Sequence, residues 1–158
     1  MNHTQTISPL TTEKTTIDPA PGYYIAGFVD GEGSFYTSFR QRNDYYLGWK
    51  ITLVFNVSQK ERTVLDIIQN TLKCGTIRFR KDNVWVYEVT DRNPLRDIVI
   101  PFFDRFVLHS QWKKRDKDIF RAICAWVRLE KTLTVDIIRK VCVLLDSKPV
   151  SSSRNLTS

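Results

Sequence analysis

The sequence is poor in the residues that build disulfide frameworks or nitrogen- and sulfur-ligated metal centres. Cysteine occurs only at Cys74, Cys124 and Cys142, with no C-x-x-C pair, and histidine only at His3 and His109. Widely spaced thiols in odd number support neither a cystine scaffold nor structural zinc, so buried free thiols are expected. No apolar run approaches the roughly 20 residues that span a bilayer, and no membrane partner is expected. Residues 1–18 carry neither an apolar signal core nor an Arg-rich amphipathic pattern, and read as a flexible leader.

Acidic residues are also in deficit. There are 24 Lys and Arg against 17 Asp and Glu, a net charge of +7. The imbalance is local: residues 1–33 hold one base and four acids, residues 34–92 ten and six, and residues 93–158 thirteen and seven. A positive excess confined to the part after the first helix favours a polyanionic partner over general solubility. With 42% hydrophobic and 26% charged residues in 158, the chain can bury one core, and a single domain is expected over 19–146, followed by a frayed tail at 147–158.

The pattern along that domain predicts an α+β fold. Asp18-Pro19 opens a helix that the glycines of Asp30-Gly31-Glu32-Gly33 close. Alternating apolar residues over Ser34–Arg42 and Leu47–Ser58, joined through Asn43-Asp44, read as a hairpin. Val64, Leu65, Ile67, Ile68 and Leu72 make Glu61–Lys73 a helix ended by Cys74-Gly75, and Thr76–Arg80 with Val84–Thr90 form a second hairpin around Lys81-Asp82-Asn83. Helices follow at about 95–107, 110–130 and 134–146, the middle one with Trp112, Ile119, Phe120, Ile123 and Val127 on one stripe. This αββαββα order implies one antiparallel sheet, covered on one face and free on the other.

On a helical wheel, Tyr24, Ile25, Phe28 and Val29 share one side of the first helix, and Tyr23, Ala26, Gly27 and Asp30 the other. An interior glycine costs about 1 kcal/mol relative to alanine, so Gly27 beside Ala26 points to a surface that another backbone approaches closely.

The segment Ile25-Ala26-Gly27-Phe28-Val29-Asp30-Gly31-Glu32-Gly33, followed by Ser34-Phe35, resembles the LAGLIDADG motif, position by position. The resemblance to the LAGLIDADG homing endonuclease family extends more weakly over residues 21 to about 130. It implies an endonuclease-like fold in which two motif helices pack through their small residues, and the second acid of each motif binds the catalytic metal at the base of the pair. On that basis Glu32 is the metal-binding and catalytic carboxylate and Gly31 a carbonyl ligand. Asp30 holds the helix end and the interface, with Tyr23, Ala26 and Gly27. Only one motif copy is present, so the second comes from another chain in a homodimer, whose two-fold axis implies a nearly palindromic DNA site. The family also implies Mg²⁺, with Mn²⁺ or Ca²⁺ able to substitute for binding. A hard cation suits a site of one carboxylate completed by water and phosphate oxygens. Without the surrounding motif, a lone acid at a helix end would be read as a solvated charge.

In Leu53-Val54-Phe55-Asn56-Val57-Ser58-Gln59-Lys60 the family's second strand is matched into a Gln-Lys pair, placing Gln59 to orient water and Lys60 toward DNA. Lys113 falls where a family lysine stabilises charge near the metals, and Arg62 stands one residue from another basic family position. Strand alternation sends Phe35, Phe39, Ile51, Leu53, Phe55 and Val57 inward. It leaves Tyr36, Ser38, Arg40, Arg42, Lys50, Thr52, Val54, Asn56, Ser58, Arg78 and Arg80 on the free face. Arg, Asn, Ser and Thr are side chains that read base edges in a major groove wide enough for a β-ribbon, so double-stranded DNA is the expected partner. On the fourth strand Trp85, Tyr87 and Val89 are expected inside, Val86 and Glu88 outside. Lys113, Lys114, Arg115, Lys117 and Arg121 offer contacts to flanking phosphates.

Two rival functions fit the same residues: a splicing cofactor that binds its intron RNA, as family members also do, and a non-cleaving DNA-binding regulator. A metal carboxylate at Glu32 favours the nuclease, because neither rival needs one. Homing further implies an intron-encoded protein acting inside an organelle, chloroplast or mitochondrion, or in microbial cytoplasm.

Overall fold

The structure, a computed structural model, describes residues 18–45, 47–127 and 133–146. The leader and tail expected at the two ends lie outside the described residues, Asp18 apart. The elements are α1 (Ala20–Glu32), β1 (Gly33–Gln41), β2 (Trp49–Gln59), α2 (Thr63–Leu72), β3 (Thr76–Phe79), β4 (Trp85–Val89), α3 (Arg92–Pro94), α4 (Ile100–Arg105), α5 (Gln111–Trp126) and α6 (Val135–Asp146). The αββαββα expectation is met in order and nearly in its boundaries.

The four strands form one antiparallel sheet in the order β1-β2-β4-β3. Phe35 pairs with Phe55 and Phe55 with Val89, while Gly33 pairs with Val57 and Val57 with Tyr87. Because side chains alternate, these rows share one face, and they are buried there with Ile51 and Leu53. Helices close over that face. Ile25 and Val29 of α1, Leu65 and Ile68 of α2, Phe103 of α4, and Phe120 and Ile123 of α5 join the same cluster. Phe35 stands edge-on to both Phe103 and Phe120 at 5.7 and 5.6 Å between ring centres, a favoured aromatic arrangement. The buried Tyr87 hydroxyl donates to the Cys74 carbonyl at 3.0 Å. Burial pushes that phenol up, which keeps it a donor.

Two elements differ from expectation. The helix expected over 95–107 starts earlier, with α3, and passes through a π-helical turn at Leu95–Val99 before α4. Pro101 at the start of α4 has no N–H to return to the preceding turn, and the Ile100 N–H reaches back to Leu95, a five-residue step. The buried stripe holds Ile119, Phe120 and Ile123 of α5 and Val127 just past its end, but Trp112 is 63% exposed. It sits in the first turn, ahead of where the stripe meets the core. The three thiols are free, with Cys124 buried and Cys74 and Cys142 half-buried.

Gly75 shows why the β3–β4 hairpin can follow α2 so closely. Its φ is +79°, and a Cβ there would lie 2.7 Å from the Glu88 carbonyl oxygen. Only glycine accepts both the left-handed backbone and the approach.

Candidate functional site

Helix α1 ends abruptly: Glu32 is its last residue and Gly33 the first of β1. The final carbonyls of a helix lack intrahelical partners, and the macrodipole places partial negative charge at that end. Glu32 adds a full one, exposed and free of ion pairs among the described residues. Asp30, two residues earlier, is committed elsewhere. Its carboxylate accepts the backbone N–H groups of His109 at 2.7 Å and Ser110 at 3.0 Å. It thereby ties α1 to the start of α5, which Ser110 itself caps by accepting from the Lys113 N–H.

The same junction places Lys113. Its ammonium donates to the Gly33 carbonyl, one residue past Glu32. Gln59 lies at the end of β2, two residues beyond the Val57 that pairs with Gly33, so it too stands beside the base of α1, half-buried. The fold thus gathers Gly31, Glu32, Gln59 and Lys113 at one end of the motif helix. Among the described residues no three or more His, Cys, Asp or Glu side chains converge as a self-contained metal site. A lone open carboxylate at a helix C-terminus suits a hard cation whose remaining ligands come from water, phosphate or another chain.

The helix faces need one correction. Ile25, Val29 and also Ala26 are buried, Ala26 to 4%, whereas Tyr24 is 50% exposed. Ala26 is therefore in the core of its own chain rather than on the outward side of the helix, where Tyr24 stands instead. Asp30 faces α5. The outward stripe is Tyr23, Tyr24, Gly27 and Gly31, with Phe28 half-covered. Nothing lies within 4 Å of a Cβ built at Gly27 or Gly31. Two open glycines four residues apart, flanked by exposed tyrosines, make a shallow apolar seat that a second helix can approach closely.

On the sheet, register puts Ser38 opposite Thr52, Tyr36 opposite Val54, Arg40 opposite Lys50 and Asn56 opposite both Ser34 and Glu88. Ser58 and Arg78 both pair with Val86. All expected reading residues within the strands thus share the face away from the helices, and Arg42, Lys60 and Arg80 directly follow strand ends. Tyr36, Ser38, Arg40, Arg42, Lys50 and Thr52 line a groove of about 220 Å³. Val86 lies on this face as expected, yet only 3% exposed, because it is flanked on both sides in an interior strand.

Not every base on the chain is available. Lys117 is 7% exposed. It donates to the Phe103 carbonyl at 3.3 Å and to Asp104 at 3.1 Å, and Arg121 bonds the same carboxylate. These two hold α5 to α4 and are not free to meet phosphates. Arg62 is bonded to Asp66 at 2.9 Å and lies over the Trp85 ring. Sequence reasoning missed the Asp30 link to α5 and a cross-strand pair between Arg78 and Glu88. A carboxylate on an otherwise basic strand face was the signal for the second.

Comparison with known proteins places the chain in a family. The profile of the LAGLIDADG endonucleases matches residues 25–124. The chain is 31% identical over 127 residues to homing endonuclease I-ApeII of Aeropyrum pernix, covering 78% of this chain and 71% of that protein. It is 28% identical over 153 residues to DNA endonuclease I-CreI of Chlamydomonas reinhardtii, covering 82% and 93%. The structure of the I-SmaMI LAGLIDADG homing endonuclease bound to cleaved DNA matches with a TM-score of 0.75 at 25% identity, over 84% of this chain and 45% of that one. Other relatives are much longer: the chain spans 27% of the probable intron-encoded endonuclease 2 of Neurospora crassa, at 30% identity over 122 residues.

The chain belongs to the LAGLIDADG endonuclease family, whose members are DNA endonucleases that use divalent metal ions. Among the described residues no helix is long and apolar enough to cross a membrane.

Proposed function

We propose that this chain is an intron-encoded homing endonuclease that pairs with a second copy of itself and hydrolyses both strands of a long, pseudo-palindromic DNA site. The observation that carries the reading is the open carboxylate of Glu32 at the end of a helix whose outward face is glycine-lined. Two such helices seated on each other bring two Glu32 side chains to one base, one for each strand.

Glu32 and the Gly31 carbonyl would hold Mg²⁺. A bound divalent ion supplies charge neutralisation at the scissile phosphate and a more acidic water. Lys113, held against Gly33, adds fixed positive charge where the phosphate becomes more negative. Gln59 offers both a donor and an acceptor to a water beside that phosphate. The outer sheet face supplies recognition, with Arg40, Lys50, Thr52, Asn56 and Arg78 toward bases and backbone in the major groove. Introns in the names of relatives, such as that from Neurospora crassa, support an organellar or microbial setting.

The test is to incubate the purified protein with a library of duplex sites and Mg²⁺. Cleavage that disappears with EDTA and with Glu32→Gln supports the nuclease. Tight, site-specific binding without cuts identifies a regulator instead.

A further inference from the structure

Three arginines of the outer sheet region are each gripped by a carboxylate. Arg42–Asp44 and Arg80–Asp82 are two-residue pairs within turns. Arg78–Glu88 is different, because it joins two strands. Arg78 Nε donates to Glu88 Oε1 at 2.8 Å and Nη2 to Oε2 at 3.3 Å. The Glu88 side chain is 22% exposed, against 52% for Arg78. Arg40, by contrast, has no carboxylate partner among the described residues.

A negative charge on a DNA-facing surface repels phosphates, so Glu88 does not serve affinity. Its surroundings fit another task. Strand β4 is interior to the sheet, Glu88 is paired with Asn56 on one side and Thr76 on the other, and Gly75 packs directly on its carbonyl. Register also sets Arg78 across from the buried Val86, so the arginine stem has apolar surface to rest on. Both ends of Arg78 are therefore fixed.

The five N–H groups of arginine are arranged in a planar fork. Glu88 occupies the edge made by Nε and Nη2. The edge that Glu88 leaves open is made by Nη1 and the second N–H of Nη2, two parallel donors. Guanine presents two adjacent acceptors, O6 and N7, in the major groove, and adenine does not.

We propose that Glu88 is a positioning residue for base recognition: it locks the Arg78 guanidinium so that its end-on edge reads guanine at one position in each half of the DNA site. The inference rests on the DNA-binding reading above, but not on cleavage. A rigid fork pays its ordering cost before binding and cannot swing to a phosphate or to a neighbouring base. That is how a repulsive charge can sharpen sequence choice.

The test is selection of bound duplexes from a randomised pool without metal, using wild type, Glu88→Gln, Glu88→Ala and Arg78→Ala, with each variant's unfolding curve recorded. Wild type is expected to prefer guanine at one position per half-site. Arg78→Ala should lose the preference, and both Glu88 variants should weaken it roughly tenfold while total affinity stays level or rises. Unchanged base preference in the Glu88 variants, with or without a gain in affinity, overturns the proposal. So does a wild type that binds no duplex DNA. A wild type that binds selectively but never cuts defeats the nuclease reading alone, and the base profiles still decide the role of Glu88.

Discussion

The Lys113 ammonium donates to the carbonyl of Gly33, so the first turn of α5 is fastened to the residue immediately after Glu32. In the proposed reaction, a cation held there on two rigid elements would be preorganised toward the charge of a scissile phosphate rather than free on the surface. Lys113→Met is therefore expected to lower the single-turnover cleavage rate by about 100-fold and to leave the Kd for target DNA within about threefold. Equal losses in rate and binding would instead make Lys113 an ordinary phosphate contact.

The open face of α1 yields opposite expectations for one residue. In an isolated chain, Gly27→Ala should stabilise the helix by about 1 kcal/mol, since its new methyl meets nothing within 4 Å. Gly27→Leu should leave the fold intact but hold two helices apart. Sedimentation is expected to show a dimer for wild type and a folded monomer for Gly27→Leu. A leucine variant that still dimerises would place the interface elsewhere.

The pairing of α4 with α5 predicts a pH dependence. Burial raises the Asp104 carboxyl, but hydrogen bonds from Arg121 and Lys117 outweigh it and hold the group below its ordinary value. The folded value lies below the unfolded one of about 3.9. The carboxylate therefore stabilises the fold above that pH, and the contribution is lost as pH falls through the folded value. Asp104→Asn should cost about 1–3 kcal/mol near neutral pH, because Lys117 stays buried without its anion. In urea titrations the gap between variant and wild type should narrow below about pH 4; a constant gap contradicts the charge-based account.

Arg40 and Lys50 stand opposite each other beside the outer groove. If they meet phosphates, each alanine variant should weaken all duplexes alike and reduce the slope of log K against log salt by about 1. A loss confined to particular base pairs would assign them to base reading.

Much of this was legible because strong periodic signals set it. Alternation from Phe35 to Val57 assigned both sheet faces, and the glycines after Val29 marked where α1 ends. The resemblance to the family motif isolated Glu32. What escaped depends on neighbours distant in the chain. A wheel cannot tell which boundary residue turns inward, so Ala26 and Tyr24 exchanged places. Lys117 looked like one more base on a wet face, yet it lies under α4 because Asp104 waits there. The π-helical turn at Leu95–Val99 was hidden since Pro101 leaves the apolar spacing almost helical. Asp30 was assigned to a helix end and an interface; its partners, the N–H groups of His109 and Ser110, lie about 80 residues away.

The most direct measurement is strand-resolved cleavage of a supercoiled plasmid bearing the selected site, with wild-type chain, Glu32→Gln chain, and the two mixed and refolded together. If each Glu32 serves one strand, wild type gives linear DNA, the variant loses roughly 100-fold or more in rate, and the mixture accumulates nicked circles. Linear product from the mixture with no nicked intermediate beyond that of wild type, or undiminished cutting by Glu32→Gln alone, would contradict it.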